Sequence, residues 1–259
     1  MTSLKFGRKP YVRDERVRRY GELLRGEVPA IPDEIDWLSN LPLEVGMYGN
    51  NEYGDCFWAG MYHQASLWLK QASNLDVTET TDNVLQAYSE ATGFNKDDPT
   101  TDNGTDPNQG LTYCMNTGLP VGNLGGRRKI DGFFECSIEH ILPVMWECGG
   151  VGLGIKVFDN NAPDNAPPAD VWDYVPGAKL QGLHWVVGGK WSKKDGLLYI
   201  ETWGQSRLYA LTQNFVQNAV DCAYGLVSGE WVNGFTGKTP LGLSKPEWNA
   251  VMQPLKGAA

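Results

Sequence analysis

No stretch of eighteen apolar residues occurs in the 259-residue chain, so no membrane-spanning helix is expected. The first residues, MTSLKFGRKPYVRDERVRRYGELL, contain no apolar core of the kind a secretory signal needs. The expected location is therefore cytoplasmic or virion-associated. None of the five cysteines forms a C-x-x-C pair, which argues against a zinc ribbon or a thioredoxin-type site. An odd count without a leader points to reduced thiols. No internal repeat is visible, which excludes a solenoid. No cofactor or metal is expected. The acidic loop Asp159–Asp173 matches no standard calcium spacing. Histidine is scarce: three residues form the whole shortlist for an imidazole base.

The chain is globular in composition, with 20% charged and 41% hydrophobic residues. Its net charge of −9 is unevenly spread. Residues 1–26 carry Lys5, Arg8, Lys9, Arg13, Arg16, Arg18, Arg19 and Arg25 against Asp14, Glu15 and Glu22. The body is thus more acidic than the whole and should repel nucleic acid. The basic arm has two readings: it folds back on its own acidic body, or it touches an acidic protein partner.

Residues 1–30 read as an arm with a short helix over Asp14–Leu24. Pro29, Pro32 and Pro42 keep the next stretch extended. Asp55 is placed to cap a helix over Cys56–Gln71, with Phe57, Met61, Ala65 and Trp68 on one stripe. Further helices are expected over Thr81–Ala91, Pro107–Asn116 and Ser137–Cys148, with a polar loop over Phe94–Asp106. Val151–Phe158, His184–Trp191 and Leu197–Trp203 read as strands, the last two joined by a turn at Ser192–Gly196. Helices early and strands late imply an α+β protein of two lobes, about 31–130 and 131–259, with a site between them.

The run YGNNEYGDCFWAGM sets Cys56 where a glycine- and asparagine-rich loop meets a helix start. Orphan backbone N–H groups and the helix dipole favour a thiolate there. Such a nucleophile needs a base. His63 lies seven residues on, about 10 Å along the same helix, and reads as a packing or capping residue. His140 sits within a helix of its own. His184 opens a β-strand in GLHWVV, which holds an imidazole rigidly, and by elimination it is the partner of Cys56.

Six blocks in this order resemble the papain-like cysteine peptidases: IPDEIDW from Ile31, GDCFWA from Gly54, NGTDPNQGLTY from Asn103, Ile138–Val157, His184 with Val186 and Val187, and ETWG from Glu201. The resemblance covers roughly residues 31–205 and implies a two-lobe fold with a helical first lobe and an antiparallel β-sheet or barrel as the second. It implies Cys56 as nucleophile and His184 as general base, then general acid. Asn50 stands where the family has its oxyanion-hole glutamine, and Glu201 where it has the asparagine that orients the imidazole. Trp203 would shield that contact from water.

Four departures accompany the resemblance, the first being Glu201, a carboxylate that can accept the imidazole N–H and favours the imidazolium, so that an ion pair with a Cys56 thiolate stays feasible. Asp55 beside Cys56 opposes a thiolate by like charge unless it turns into the cap. Trp185 is bulky where a small residue is usual. The stretch after Ser206 has no clear counterpart. The function implied is a cysteine hydrolase acting on peptide or isopeptide bonds of a peptide or protein substrate. The alternatives are a structural or binding protein on the same fold with an idle dyad, such as a component of a phage particle, and an acyltransferase using the same pair. A prosegment role for the arm, with Arg25-Gly26 as a cleavage point, is a further reading.

Overall fold

The computed structural model describes residues 5–24, 28–42, 46–122, 125–162, 167–204 and 207–248. Its central element is a buried helix standing against a sheet. The arm supplies only one turn of helix, α1 (Tyr20–Leu23), shorter than the sequence suggests; Arg13 and Arg16 bond Asp14 in the preceding turn instead. β1 (Glu34–Asp36) follows, with Ile35 fully buried. The helical lobe is built from α2 (Cys56–Ser73), α3 (Thr81–Thr92) and α4 (Pro107–Asn116). α3 and α4 start on Thr80 and Asp106, whose side chains accept from the N–H groups of Asn83 and Gln109. α2 ends on Asn74 in the left-handed region.

A small hairpin, β2 (Leu119–Val121) and β3 (Gly126–Arg128), leads to the second lobe. That lobe contains β4 (Gly132–Glu135), α5 (Ile141–Cys148), β5 (Val151–Phe158), β6 (Val171–Trp172), β7 (Leu180–Ser192), β8 (Leu197–Glu201), β9 (Tyr209–Leu211), α6 (Gln213–Ala219) and β10 (Val220–Val227). The helix expected from Ser137 begins as a 3₁₀ turn over Ile138–His140. One eight-stranded sheet runs β4-β10-β5-β7-β8-β9-β6, with β1 added to β7. Its pairings are antiparallel except β6 with β9. The stretch beyond residue 206 therefore has a place: β9, α6 and β10 belong to this sheet and its cover, and Trp231 and Trp248 fill core positions.

The stripe expected on α2 is real, but the helix is buried nearly all round, from Cys56 to Trp68. A helix apolar on every side sits inside a core rather than on it. It packs against β7, and its polar groups reach the second lobe: Gln64 donates to Gly149 O at 2.9 Å and Trp68 to Cys148 O at 2.7 Å. Bulky Trp185 on β7 is accommodated by glycines. A Cβ on Gly60 of α2 or Gly152 of β5 would lie 2.6 or 2.3 Å from its indole. Among the described residues no helix is long and apolar enough to cross a membrane, and no group of three or more His, Cys, Asp or Glu is placed to hold a metal.

Candidate active site

Cys56 is the first residue of α2, and His184 stands on β7 against which α2 packs. The backbone N–H groups of Trp185, the residue after His184, and of Gly7, in the arm, sit near enough to the Cys56 sulfur to favour its thiolate. Burial pushes the Cys56 thiol up to about 11, and burial pulls the His184 imidazole down to about 3, helped by the positive charge of Arg8. Both groups are 1% exposed or less. As covered by the arm, the pair is a neutral thiol and a neutral imidazole.

The imidazole is oriented by a residue other than the one expected. His184 Nε2 lies 2.6 Å from Thr202 Oγ1, and Nδ1 is buried without a hydrogen-bond partner. Glu201 is the next residue along, and successive side chains of an extended chain face opposite ways. Its carboxyl turns instead toward α2, with Oε1 3.7 Å from His63 Nδ1. His63 Nε2 meets Gly46 O at 2.8 Å, consistent with the packing role expected of it. Burial raises Glu201 to about 8 and lowers His63 to about 4, so these two are neutral neighbours rather than an ion pair. His140 bonds Ser137 Oγ at 2.9 Å, remote from the thiol in its own turn.

Trp203 takes the expected covering position. Its ring stacks on His184 with centroids 4.6 Å apart and planes at 25°. This is achieved through a left-handed backbone at Trp203 (φ 55°) followed by Gly204 (φ 53°). Only glycine fits there, since a Cβ would lie 2.0 Å from Gly46 O.

Asn50 is buried in the loop before α2, but its amide donates to Tyr53 O at 3.3 Å and lies beside the Asp55 carboxyl. The expected free oxyanion donor is thus committed to its own loop. The donor at hand is the N-terminus of α2, where the first N–H groups have no partner within the helix. Asp55 is the last residue before the helix, yet its side chain makes no cap bond. Burial raises its carboxyl well above the usual range, partly offset by the Asn50 amide. That burial works against a charge on Asp55 and so weakens its opposition to a thiolate. The loop is anchored from the polar segment before α4: Gly54 N–H donates to both oxygens of Asp102 at 3.0 and 3.1 Å, and Tyr88 OH donates to Asp102 at 2.7 Å.

Residues 6–9 of the arm run through the cleft over these groups. Phe6 meets His184 and Trp203 edge-on, with centroids 5.8 and 6.1 Å away. Gly7 presses on Gly54: a Cβ on Gly7 would lie 1.8 Å from Gly54 O. Thr105 N–H donates to Gly7 O at 2.7 Å and Lys9 N–H donates to Thr105 O at 2.9 Å, while Arg8 N–H donates to Leu183 O at 3.2 Å. The arm therefore adds a short extended piece to both walls, parallel to Thr105. In this direction Gly7 offers the sulfur its N–H and turns its carbonyl to Thr105. Further along, Tyr11 OH and Arg13 each donate to Glu135 at 2.6 Å, and Tyr20 OH donates to Glu147 at 2.6 Å. The expected cleavage point Arg25-Gly26 lies outside the described residues.

Solved structures carry the same arrangement of elements. The chain is similar to xylellain, a cysteine protease from Xylella fastidiosa, at 14% identity and a TM-score of 0.67, covering 88% of this chain and 97% of that one. The fold is that of the papain-like cysteine proteases. Procathepsin L 3 of Tenebrio molitor larval midgut is similar at 15% identity, TM-score 0.55, over 87% of this chain and 76% of that one. Procathepsin B S9 from Trypanosoma congolense is similar at 12% identity, TM-score 0.56, over 86% and 85%. No protein-family model and no curated protein sequence matches the chain.

Thr202, Gly7 and the pair Arg8–Asp221 were not singled out from the sequence. Strand alternation held a signal for the first: if one of two neighbours in ETWG faces the imidazole, the other cannot. No spacing rule signals the arm contacts, which join residues from tens to hundreds of positions apart.

Proposed function

We propose that the chain is a cysteine peptidase held latent by its own N-terminal arm. The observation that carries this is the arrangement around His184: Nε2 held by Thr202, Nδ1 left unpartnered, and the Cys56 sulfur at the helix start beside the very next backbone N–H. A thiol and an imidazole so oriented, at a helix start, are suited to acyl transfer. The family to which the fold points supports a peptide or protein substrate, and two of the similar structures are proforms.

With the arm displaced, water enters and both groups return toward their ordinary values. Nδ1 of His184 takes the thiol proton, and the thiolate attacks the substrate carbonyl carbon. The oxyanion is met by N–H groups at the start of α2. The C–N bond then breaks as the imidazolium returns its proton to the leaving amine, and water hydrolyses the thioester. Thr202 keeps the ring in the orientation this requires, and its hydroxyl accepts from Nε2–H when Nδ1 is the base.

The test is labelling of Cys56 by a peptidyl vinyl sulfone, read by intact mass, in the full chain and in Arg8→Ala, which loosens the arm. Labelling that is faster in Arg8→Ala and lost when His184→Ala is added supports the reading. Absence of labelling at every pH from 5 to 9 in both proteins would leave the chain a binding protein on this fold.

A further inference from the structure

The arm does more than cover the sulfur; it also fills a side pocket. Arg8 is 4% exposed, and its side chain is wholly so enclosed. Its guanidinium is fully engaged. Nη2 lies 2.7 and 2.9 Å from the two carboxylate oxygens of Asp221, Nε donates to His184 O at 3.2 Å, Nη2 to Ile155 O at 3.4 Å, and Nη1 to Lys9 O at 3.0 Å. The wall is cut to its stem: a Cβ on Gly154 would fall 2.9 Å from Arg8 Nε and 3.0 Å from its Cδ. Two backbone carbonyls and a carboxylate, all acceptors, line the end of the pocket, and a lysine or a neutral side chain would leave some of them unpaired.

The pocket's place relative to the chemistry follows from the arm. Gly7 lies on Cys56, Phe6 lies over His184, and Arg8 points away into the pocket. A leaving amine must depart beside His184, which returns its proton, so the amine half of a substrate takes the place of Phe6. The acyl half must then lie on the Arg8 side. The residue bearing the attacked carbonyl takes the place of Gly7, and the residue before it takes the place of Arg8.

We infer that the Arg8 pocket is the substrate-selecting subsite of this chain, with Asp221 as its specificity-determining residue, and that it takes an arginine side chain one residue before the attacked carbonyl. The arm then holds the cleft closed with the same side chain that a substrate must bring. The inference rests on the peptidase reading for its role, but the pocket's selectivity is a property of its own.

The test uses the full chain carrying Arg8→Ala, which empties the pocket. Two vinyl sulfones are compared, identical except for Arg or Leu at the residue before the one bearing the warhead. The Arg reagent should label Cys56 at least about tenfold faster, because buried acceptors left unpaired penalise Leu. The ratio should fall to about one when Asp221→Asn is added. In parallel, millimolar arginine amide should raise the melting temperature of Arg8→Ala, leucine amide should not, and Asp221→Asn should abolish the rise. Equal rates for the two reagents, or an Arg preference that survives Asp221→Asn, overturn the inference. If neither reagent labels but arginine amide still stabilises, the peptidase reading falls and the arginine pocket stands. If neither labels and neither amide stabilises, both fall. Should Arg8→Ala not fold, Phe6→Ala, which loosens the arm beside His184, carries the labelling comparison alone, since only the Arg reagent can replace the Arg8 contacts that it displaces.

Discussion

Thr202 Oγ1 sits 2.6 Å from His184 Nε2, although the carboxylate one residue earlier belongs to Glu201. A hydroxyl orients the ring without adding negative charge, so it does not hold the imidazole in its protonated form as a carboxylate would. Thr202→Val, close in shape, leaves buried His184 Nε2 unpaired and should cost about 1–3 kcal/mol in stability and slow Cys56 labelling several-fold. Thr202→Ser should restore it. Equal labelling rates in wild type and Thr202→Val would show that the contact is only packing.

The arm contacts predict graded release. Phe6→Ala and Arg8→Ala each remove one anchor, and either should speed labelling of Cys56 in the full chain. Arg8→Ala also leaves part-buried Asp221 without its partner, at a cost of about 1–3 kcal/mol in stability. Denaturant midpoints set beside labelling rates separate the two effects. Slower labelling in both variants would mean that the arm assembles the site instead of closing it.

Glu201 predicts a pH signature of stability. Its carboxyl is held at about 8 against the usual 4.5, so the folded state keeps a proton that the unfolded state gives up. Stability is fully present below about pH 4.5 on this account and is lost as pH rises toward 8. His63 has the opposite sense: lowered to about 4 from 6.5, it costs stability as pH falls through 6.5. From pH 6.5 to 8 the folded histidine is neutral and the unfolded one goes from half protonated to nearly neutral, so Glu201 dominates this pair, at about 2 kcal/mol over the window. Thermal unfolding of Glu201→Gln should show a shallower decline between pH 6.5 and 8 than wild type. An unchanged slope would remove Glu201 as its source.

Gly60 and Gly152 predict a packing penalty transmitted to the thiol. Alanine at either position pushes on the Trp185 indole, whose own backbone N–H contacts the Cys56 sulfur. Overpacking of this kind costs about 1–3 kcal/mol. Both variants should unfold at lower denaturant, while Gly234→Ala, with open space around the position, should not.

Patterns that repeat locally were readable from the chain. The helix over Pro107–Asn116 and the strand over Val151–Phe158 lie where capping and apolar runs place them. The link between Cys56 and the His184 strand followed from scarcity, since the other two imidazoles had packing duties. What stayed hidden depended on which way side chains turn and on distant contacts. Glu201 was assigned by its place in ETWG, but the alternation of the strand gives the ring to Thr202. Asn50 was assigned by its spacing from Cys56, but a local acceptor, Tyr53 O, claims its amide. Asp55 looked like a charge and a cap; its side chain makes no cap bond, and burial works against its charge. The arm's basic residues could be counted, but nothing in their order says that one of them ends inside the body against Asp221.

The reversed course of residues 6–9 has a kinetic consequence. A blocking segment that shows the nucleophile an N–H has no electrophile to be cut, and being part of the same chain it never diffuses away. Its local concentration is on the order of millimolar for a short tether, whatever the concentration of protein. Dilution therefore does not open the cleft, and a competing peptide must exceed that local concentration to take the arm's place. Opening becomes a first-order event, set by how often the arm lets go.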